Sequence, residues 1–111
     1  YTTLFRSVIT DVVILLKGKL DFMQREYKIK KNKVDCIFIL KGGIILILEV
    51  DIFNRTKAKK INEIITVLNE KKAKFEFLII TKHEVEENNK KEKIKYIGIN
   101  EIEEKIKQYL I

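Results

Sequence analysis

Residues 34–51 read Val34-Asp35-Cys36-Ile37-Phe38-Ile39-Leu40-Lys41-Gly42-Gly43-Ile44-Ile45-Leu46-Ile47-Leu48-Glu49-Val50-Asp51. Two apolar runs, 34–40 and 44–51, flank a glycine turn, a pattern that predicts a β-hairpin. Both faces of both runs are apolar. Strands of that kind are covered on both sides, so helices are expected above and below the sheet. Three acids, Asp35, Glu49 and Asp51, stand at the open end. Burying an ionised carboxylate is costly unless something pairs with it, so function is sought there.

The turn sets which side chains meet. If Lys41-Gly42-Gly43 is a three-residue loop, Leu40 pairs with Ile44, Asp35 with Glu49 and Lys33 with Asp51. Opposed residues share a face, with Cβ atoms about 4.5–5.5 Å apart, and residues 49 and 51 share one by alternation. A two-residue Gly42-Gly43 turn would send Asp35 and Glu49 to opposite faces. The three-residue register is preferred because it explains neighbouring acids on two apolar strands. Clustered carboxylates raise one another's pKa unless a cation is bound. A hard oxygen site suits Mg²⁺ or Mn²⁺, which can polarise a phosphoryl oxygen and lower the pKa of an attacking water. The alternative is a salt-bridged strand end, with Lys33 neutralising Asp51 and Arg55 nearby.

Outward from the hairpin, Leu4, Phe5, Val8, Ile9, Val12, Val13, Leu15 and Leu16 recur at helical spacing, predicting a helix over 3–17 that stops at Gly18. Tyr27 and Ile29 alternate with lysines in 26–31, a candidate edge strand, with a turn at Asn32. Residues 56–73 form the clearest helix, capped by Thr56 or Asn54. Its buried stripe is Ala58, Ile61, Ile64, Ile65 and Leu68; Lys57, Lys59, Lys60 and Glu63 face outward. Phe75 to Thr81 is a buried strand, and strand, long helix, strand signals a parallel pair. Residues 83–93 read as a charged loop around Asn88-Asn89, and 94–99 as a short strand. A final helix, capped by Asn100, carries Ile102, Ile106 and Leu110.

The 111 residues fit a single domain, 1–111, with one core. Hydrophobic residues at 46% and charged residues at 35% exclude a disordered chain. Enrichment in isoleucine, lysine and glutamate fits a thermophile and an AT-rich genome equally. The net charge of +7 favours an anionic partner, nucleic acid first. The one cysteine, Cys36, reads as a core residue; without a disulfide framework the expected location is intracellular. No apolar run reaches the roughly 20 residues of a membrane span. No signal-peptide pattern opens the chain, and a first residue of Tyr1 leaves room for an upstream segment. His83, the sole histidine, has no zinc-like partner spacing and reads as a surface residue. Gly42-Gly43 precedes no helix and lacks a Gly-Lys-Ser/Thr sequence, so a phosphate cradle is not expected.

Asp35 at the start of one apolar strand, followed by the run Ile45-Leu46-Ile47-Leu48-Glu49-Val50-Asp51, resembles the motif of the PD-(D/E)XK nuclease superfamily. Within it, the chain looks most like archaeal Holliday-junction resolvases and Mrr-type endonucleases. The resemblance implies a restriction-endonuclease-like α-β-β-β-α-β core, a mixed sheet with helices on both faces. It implies metal-dependent cleavage of DNA, including branched or junction DNA, by a homodimer. By that resemblance Asp35 and Glu49 hold Mg²⁺ or Mn²⁺, with Asp51 as a further ligand or neighbour.

Two departures stand out. Asp51 occupies the motif lysine position, and the first helix reads Leu4-Phe5-Arg6-Ser7 where many members carry a glutamate; Asp11 would substitute only by facing the sheet. Because the chemistry needs a cation near the water and not a fixed backbone position, Lys33, opposite Asp51 in the register, is the candidate replacement, with Lys57 a second. Arg25, Lys28, Lys30 and Lys31 on one side, and Arg55, Lys57, Lys59 and Lys60 on the other, form a candidate phosphate-contacting rim. The last helix, with Ile102, Ile106, Tyr109 and Leu110, is read first as core and second as a dimer interface. A second function class remains: a catalytically inactive nuclease-like module for nucleic-acid binding or assembly.

Overall fold

The computed structural model describes residues 2–52, 54–82 and 93–111, with side chains from Ser7 onward. Helix α1 (Thr2–Leu16) leads into β1 (Leu20–Ile29), β2 (Asn32–Leu40) and β3 (Ile45–Asp51). Helix α2 (Ala58–Glu70), β4 (Phe75–Thr81), β5 (Ile94–Gly98) and a short helix α3 (Ile102–Ile106) follow. The five strands form one sheet in sequence order. β1, β2 and β3 are antiparallel, and β4 and β5 run parallel to β3. The sheet is therefore mixed, as expected for the α-β-β-β-α-β order.

Alternate side chains of the central strands feed two separate cores. On one face Leu46, Leu48, Leu78 and Ile80 pack with Val8, Ile9, Val12 and Leu16 of α1 and with Ile102 and Ile106 of α3. On the other, Ile47, Phe77 and Ile79 pack with Ile61, Ile64 and Leu68 of α2. Leu46, Ile47, Leu48, Phe77 and Leu78 are all inaccessible, and each such burial contributes about 1.5–3 kcal/mol. Two apolar faces require two helical covers, and the sequence supplies both.

The hairpin adopts the three-residue loop. Ile39 pairs with Ile45, Ile37 with Ile47 and Cys36 with Leu48. The Leu40 N–H donates to the Ile44 carbonyl at 2.9 Å, and the Gly43 N–H to the Leu40 carbonyl at 2.9 Å. Gly42 and Gly43 have φ of 101° and 94°, a region that only glycine enters without a steric penalty.

Several local expectations change. The edge strand runs over 20–29 and not 26–31, and its turn is Lys30-Lys31, closed by the Ile29–Asn32 pair, one step before Asn32. The strand was hidden because Leu20 and Met23 pack toward α1 while Tyr27 and Ile29 pack toward α2, which breaks a period of two. The reversal falls at Glu26, whose φ is +53°. α2 is shorter than 56–73, and Lys57 is its N-cap without a side-chain bond. Neither Thr56 nor Asn54 caps it, because the Thr56 hydroxyl is directed at carboxylates. Asn100 lies inside a 3₁₀ turn, Ile99–Glu101, and does not cap α3. Ala58 is exposed. The expected loop around Asn88-Asn89 and the His83 position lie outside the described residues.

Candidate functional site

The carboxylates gather where β3 ends and α2 begins. Ile47 faces the α2 core, so alternation carries Glu49 and Asp51 to the same face. Both are nearly inaccessible, at 4% and 6%. Asp35, opposite Glu49 by continuation of the register, bends inward. Its Oδ2 accepts the Val50 N–H at 2.7 Å, extending the β2–β3 pairing through a side chain. The Asp35 and Glu49 carboxyls lie close enough for each to influence the other's titration.

Burial is the main reason both acids titrate high. Burial, and then the neighbouring Asp35 charge, push Glu49 up to about 7 against the pull of Lys60. Asp35 is also raised by burial, partly offset by the Val50 N–H.

Lys60, expected on the outer face of α2, turns inward. Its Nζ stands 2.7 Å from Glu49 Oε1. The approach is off the favourable direction, so that buried oxygen receives no well-aligned hydrogen bond. The signal for Lys60 was present in the sequence. It lies four residues before Ile64, on the same side of the helix, at the end nearest the acids.

Asp51 is engaged on both oxygens by one residue. Oδ2 accepts the Thr56 N–H at 2.6 Å and Oδ1 the Thr56 hydroxyl at 2.6 Å. The same hydroxyl stands 3.4 Å from Glu49 Oε2. Sequence reasoning treated Thr56 only as a helix cap, because helix-start statistics say nothing about contacts back to a preceding strand.

Lys33 does not reach this cluster. Val34 packs toward α2 whereas Cys36 packs toward α1. The facing pattern thus reverses across Asp35, and Lys33 turns away from Asp51. Its Nζ lies 3.6 Å from Glu26 Oε1 on the surface. The expected Lys33–Asp51 juxtaposition is therefore absent, although the hairpin register behind it holds. Asp11 is exposed and lines a recess with Ile14 and Ile99 on the α1 side, so it does not replace a first-helix glutamate at the acids.

The basic residues divide. Arg55, Lys57 and Lys60 line a recess of about 310 Å³ together with Asp35, Glu49 and Asp51. Lys59 is exposed in the first turn of α2. The Lys30-Lys31 turn is tied to that helix through Glu63, which takes Lys31 at 3.6 Å and the Asn32 amide at 2.9 Å. Arg25 points toward α1, where it donates to the Thr10 hydroxyl at 3.2 Å. Lys28 pairs in register with Lys33. Of the expected rim residues, Arg55, Lys57 and Lys60 thus line the recess that holds the acids, whereas Lys30 and Lys31 line a separate recess with Asn62 and Glu70. The last helix buries Ile102 and Ile106 in the core, and the Tyr109 hydroxyl bonds Glu76.

The donors present suit a divalent cation as a pair and not as a triad. Asp35 and Glu49 are adjacent, and Glu49 keeps a buried oxygen without an aligned donor; Asp51 is committed to Thr56. Among the described residues no group of three or more acidic, histidine or cysteine side chains is placed to hold a metal ion. None of the described helices is long and apolar enough to cross a membrane.

No protein-family model matches the chain, and no curated protein matches it in sequence. Two solved structures are similar in fold. One is protein VC1899 from Vibrio cholerae, with TM-score 0.58 and 11% identity, covering 97% of this chain and 31% of that one. The other is a repair endonuclease from Pyrococcus abyssi, with TM-score 0.55 and 14% identity, covering 84% of this chain and 46% of that one. The chain thus spans less than half the length of either. At these identities the likeness shows a shared fold, the restriction-endonuclease-like mixed sheet.

Proposed function

We propose that this chain is a divalent-metal-dependent endonuclease module acting on DNA phosphodiester bonds, with Asp35 and Glu49 as the metal-holding pair and Lys60 in place of the motif lysine. The observation that carries this reading is the contact of Lys60 with Glu49 beside Asp35, which assembles two acids and one ammonium on a nuclease-like fold. A Mg²⁺ or Mn²⁺ ion on the two acids would polarise the scissile phosphate and acidify a bound water. Lys60 brings an ammonium with three donors, able to hold the attacking water and to offset negative charge as it builds on phosphorus. Arg55, Lys57 and Lys59 present exposed charge beside the recess, fit to neutralise flanking phosphates and to make binding fall steeply with salt.

The test is cleavage with Mg²⁺ and Mn²⁺ of duplex, single-stranded, flap and four-way-junction DNA. Lys60→Ala should abolish cleavage and leave DNA binding largely intact, and Lys33→Ala should cleave normally. Asp51→Lys combined with Lys60→Ala, which returns the lysine to its motif position, should recover part of the activity. Full activity of Lys60→Ala would refute the assignment. The commitment of Asp51 to Thr56 favours a second reading, a nuclease-like module that binds nucleic acid without cutting it. Wild-type protein that binds DNA but neither Mn²⁺ nor Mg²⁺ would select that reading.

A further inference from the structure

We infer that Asp51 and Thr56 form a positioning clamp that fixes the start of α2 and thereby holds Lys60 on Glu49. The inference rests on the proposed roles of Lys60 and Glu49 and adds a reason for the acid at the motif lysine position. A lysine at residue 51 would deliver its ammonium directly from the strand. The carboxylate there instead grips the chain two residues before α2.

The grip is bidentate. One oxygen takes the Thr56 amide and the other its hydroxyl, both at 2.6 Å. Such charge-assisted bonds are roughly twice as strong as neutral ones. A hydroxyl has one proton to donate; the short contact to Asp51 uses it, and the 3.4 Å contact to Glu49 aligns Thr56 with the second acid. Thr56 is therefore fixed on Asp51, with Glu49 beside it. From Lys57 the chain is committed to α2, a rigid element of 13 residues. Anchoring its first turn sets the height and rotation of Lys60, and Ile61 and Ile64 lock that rotation by burial. Four residues thus separate the strand acid from the anchored threonine, and one turn of helix delivers the ammonium. Asp51 and Thr56 touch no substrate in this scheme; they act through Lys60.

The experiment compares wild type, Thr56→Val, which keeps the shape and loses the hydroxyl, and Thr56→Ser, which keeps the hydroxyl. The first readout needs no activity: the rate of reductive methylation at Lys60 relative to exposed Lys57, by peptide mass spectrometry of the intact folded protein. Lys60 should be slow in wild type and Thr56→Ser, and should approach Lys57 in Thr56→Val. The second readout is kcat against KM for cleaved DNA, where Thr56→Val should lower kcat about tenfold or more with KM nearly unchanged, since small misplacements are costly at reacting groups. Thr56→Ser should restore kcat. Lys60 as protected in Thr56→Val as in wild type would overturn the clamp. If Thr56→Val does not fold, Asp51→Asn, which removes one acceptor of the pair, decides on the same readout. Wild type that cleaves nothing, with Lys60 released in Thr56→Val, would sink the nuclease reading and keep the clamp.

Discussion

Replacing Glu49 with glutamine should reverse the normal cost of losing a buried acid. Glu49 titrates near 7 in the folded protein against 4.5 as a free side chain, because burial and then Asp35 disfavour its charge. Between those two pH values the folded state holds a proton that the unfolded state has released. Stability must therefore fall as pH rises from about 4.5 to 7, and level off above. At about 1.36 kcal/mol per pH unit of displacement, Glu49 alone costs the fold on the order of 3 kcal/mol at pH 7.5 relative to pH 4.5. Asp35, also raised, acts in the same direction. Glu49→Gln keeps the shape, removes the titration and leaves Lys60 partly exposed to water. The variant should be more stable than wild type by about 1–3 kcal/mol at pH 7.5 and close to it at pH 4.5. Urea unfolding in EDTA at half-unit steps from pH 4.5 to 8 measures both curves. A wild-type curve that is flat or rising over that interval, with Glu49→Gln parallel to it, would refute the reasoning.

If the proposed Asp35–Glu49 pair holds Mn²⁺, the ion competes with protonation of the raised Glu49, so its affinity should rise by up to about tenfold per pH unit below 7 and plateau above. Isothermal titration in buffers of different ionisation enthalpy should report proton release, and Asp35→Asn should abolish the heat; binding indifferent to pH would contradict the raised titration of Glu49. Cys36 is inaccessible, and burial pushes its thiol up to about 11. It should stay silent toward a thiol reagent at pH 8 in native protein and react on unfolding in urea, whereas rapid native labelling would show that β2 opens.

The hairpin was legible because every local signal agreed: two apolar runs, a glycine pair suited to left-handed φ, and three acids at one end. The loop length then gave the Asp35–Glu49 pairing correctly. Lys33 failed for a reason that no pattern in that stretch contains. Glu26 on the neighbouring strand takes a left-handed φ and reverses which side chains face which core, so alternation from Cys36 back to Lys33 misleads. Lys60 was read as a rim residue and not as the partner of Glu49, because a lysine in a lysine-rich helix is normally solvated. Only the proximity of the buried acids, a tertiary fact, selects it over Lys57 and Lys59. Thr56 was read by its local role as a cap and proved to serve a contact with residues 49 and 51.

The hairpin closes its two ends by different chemistry. At the glycine tip the bonds are made by main chain: the Lys41 N–H to the Lys19 carbonyl at 2.7 Å and the Ile45 N–H to the Lys74 carbonyl at 2.9 Å. At the other end side-chain carboxylates make them, Asp35 to Val50 and Asp51 to Thr56. Main-chain bonds are indifferent to residue identity, protons and cations, whereas carboxylate bonds answer to all three. Fraying of this sheet therefore has a polarity. The tip, about seven residues or roughly 24 Å along the strand from Glu49, is the inert end, where a fluorophore or fused peptide can be carried without disturbing the acids. Outside Gly42 and Gly43, whose positive φ calls for glycine, the tip makes few demands on side chains, while the opposite end is held to a narrow choice of them.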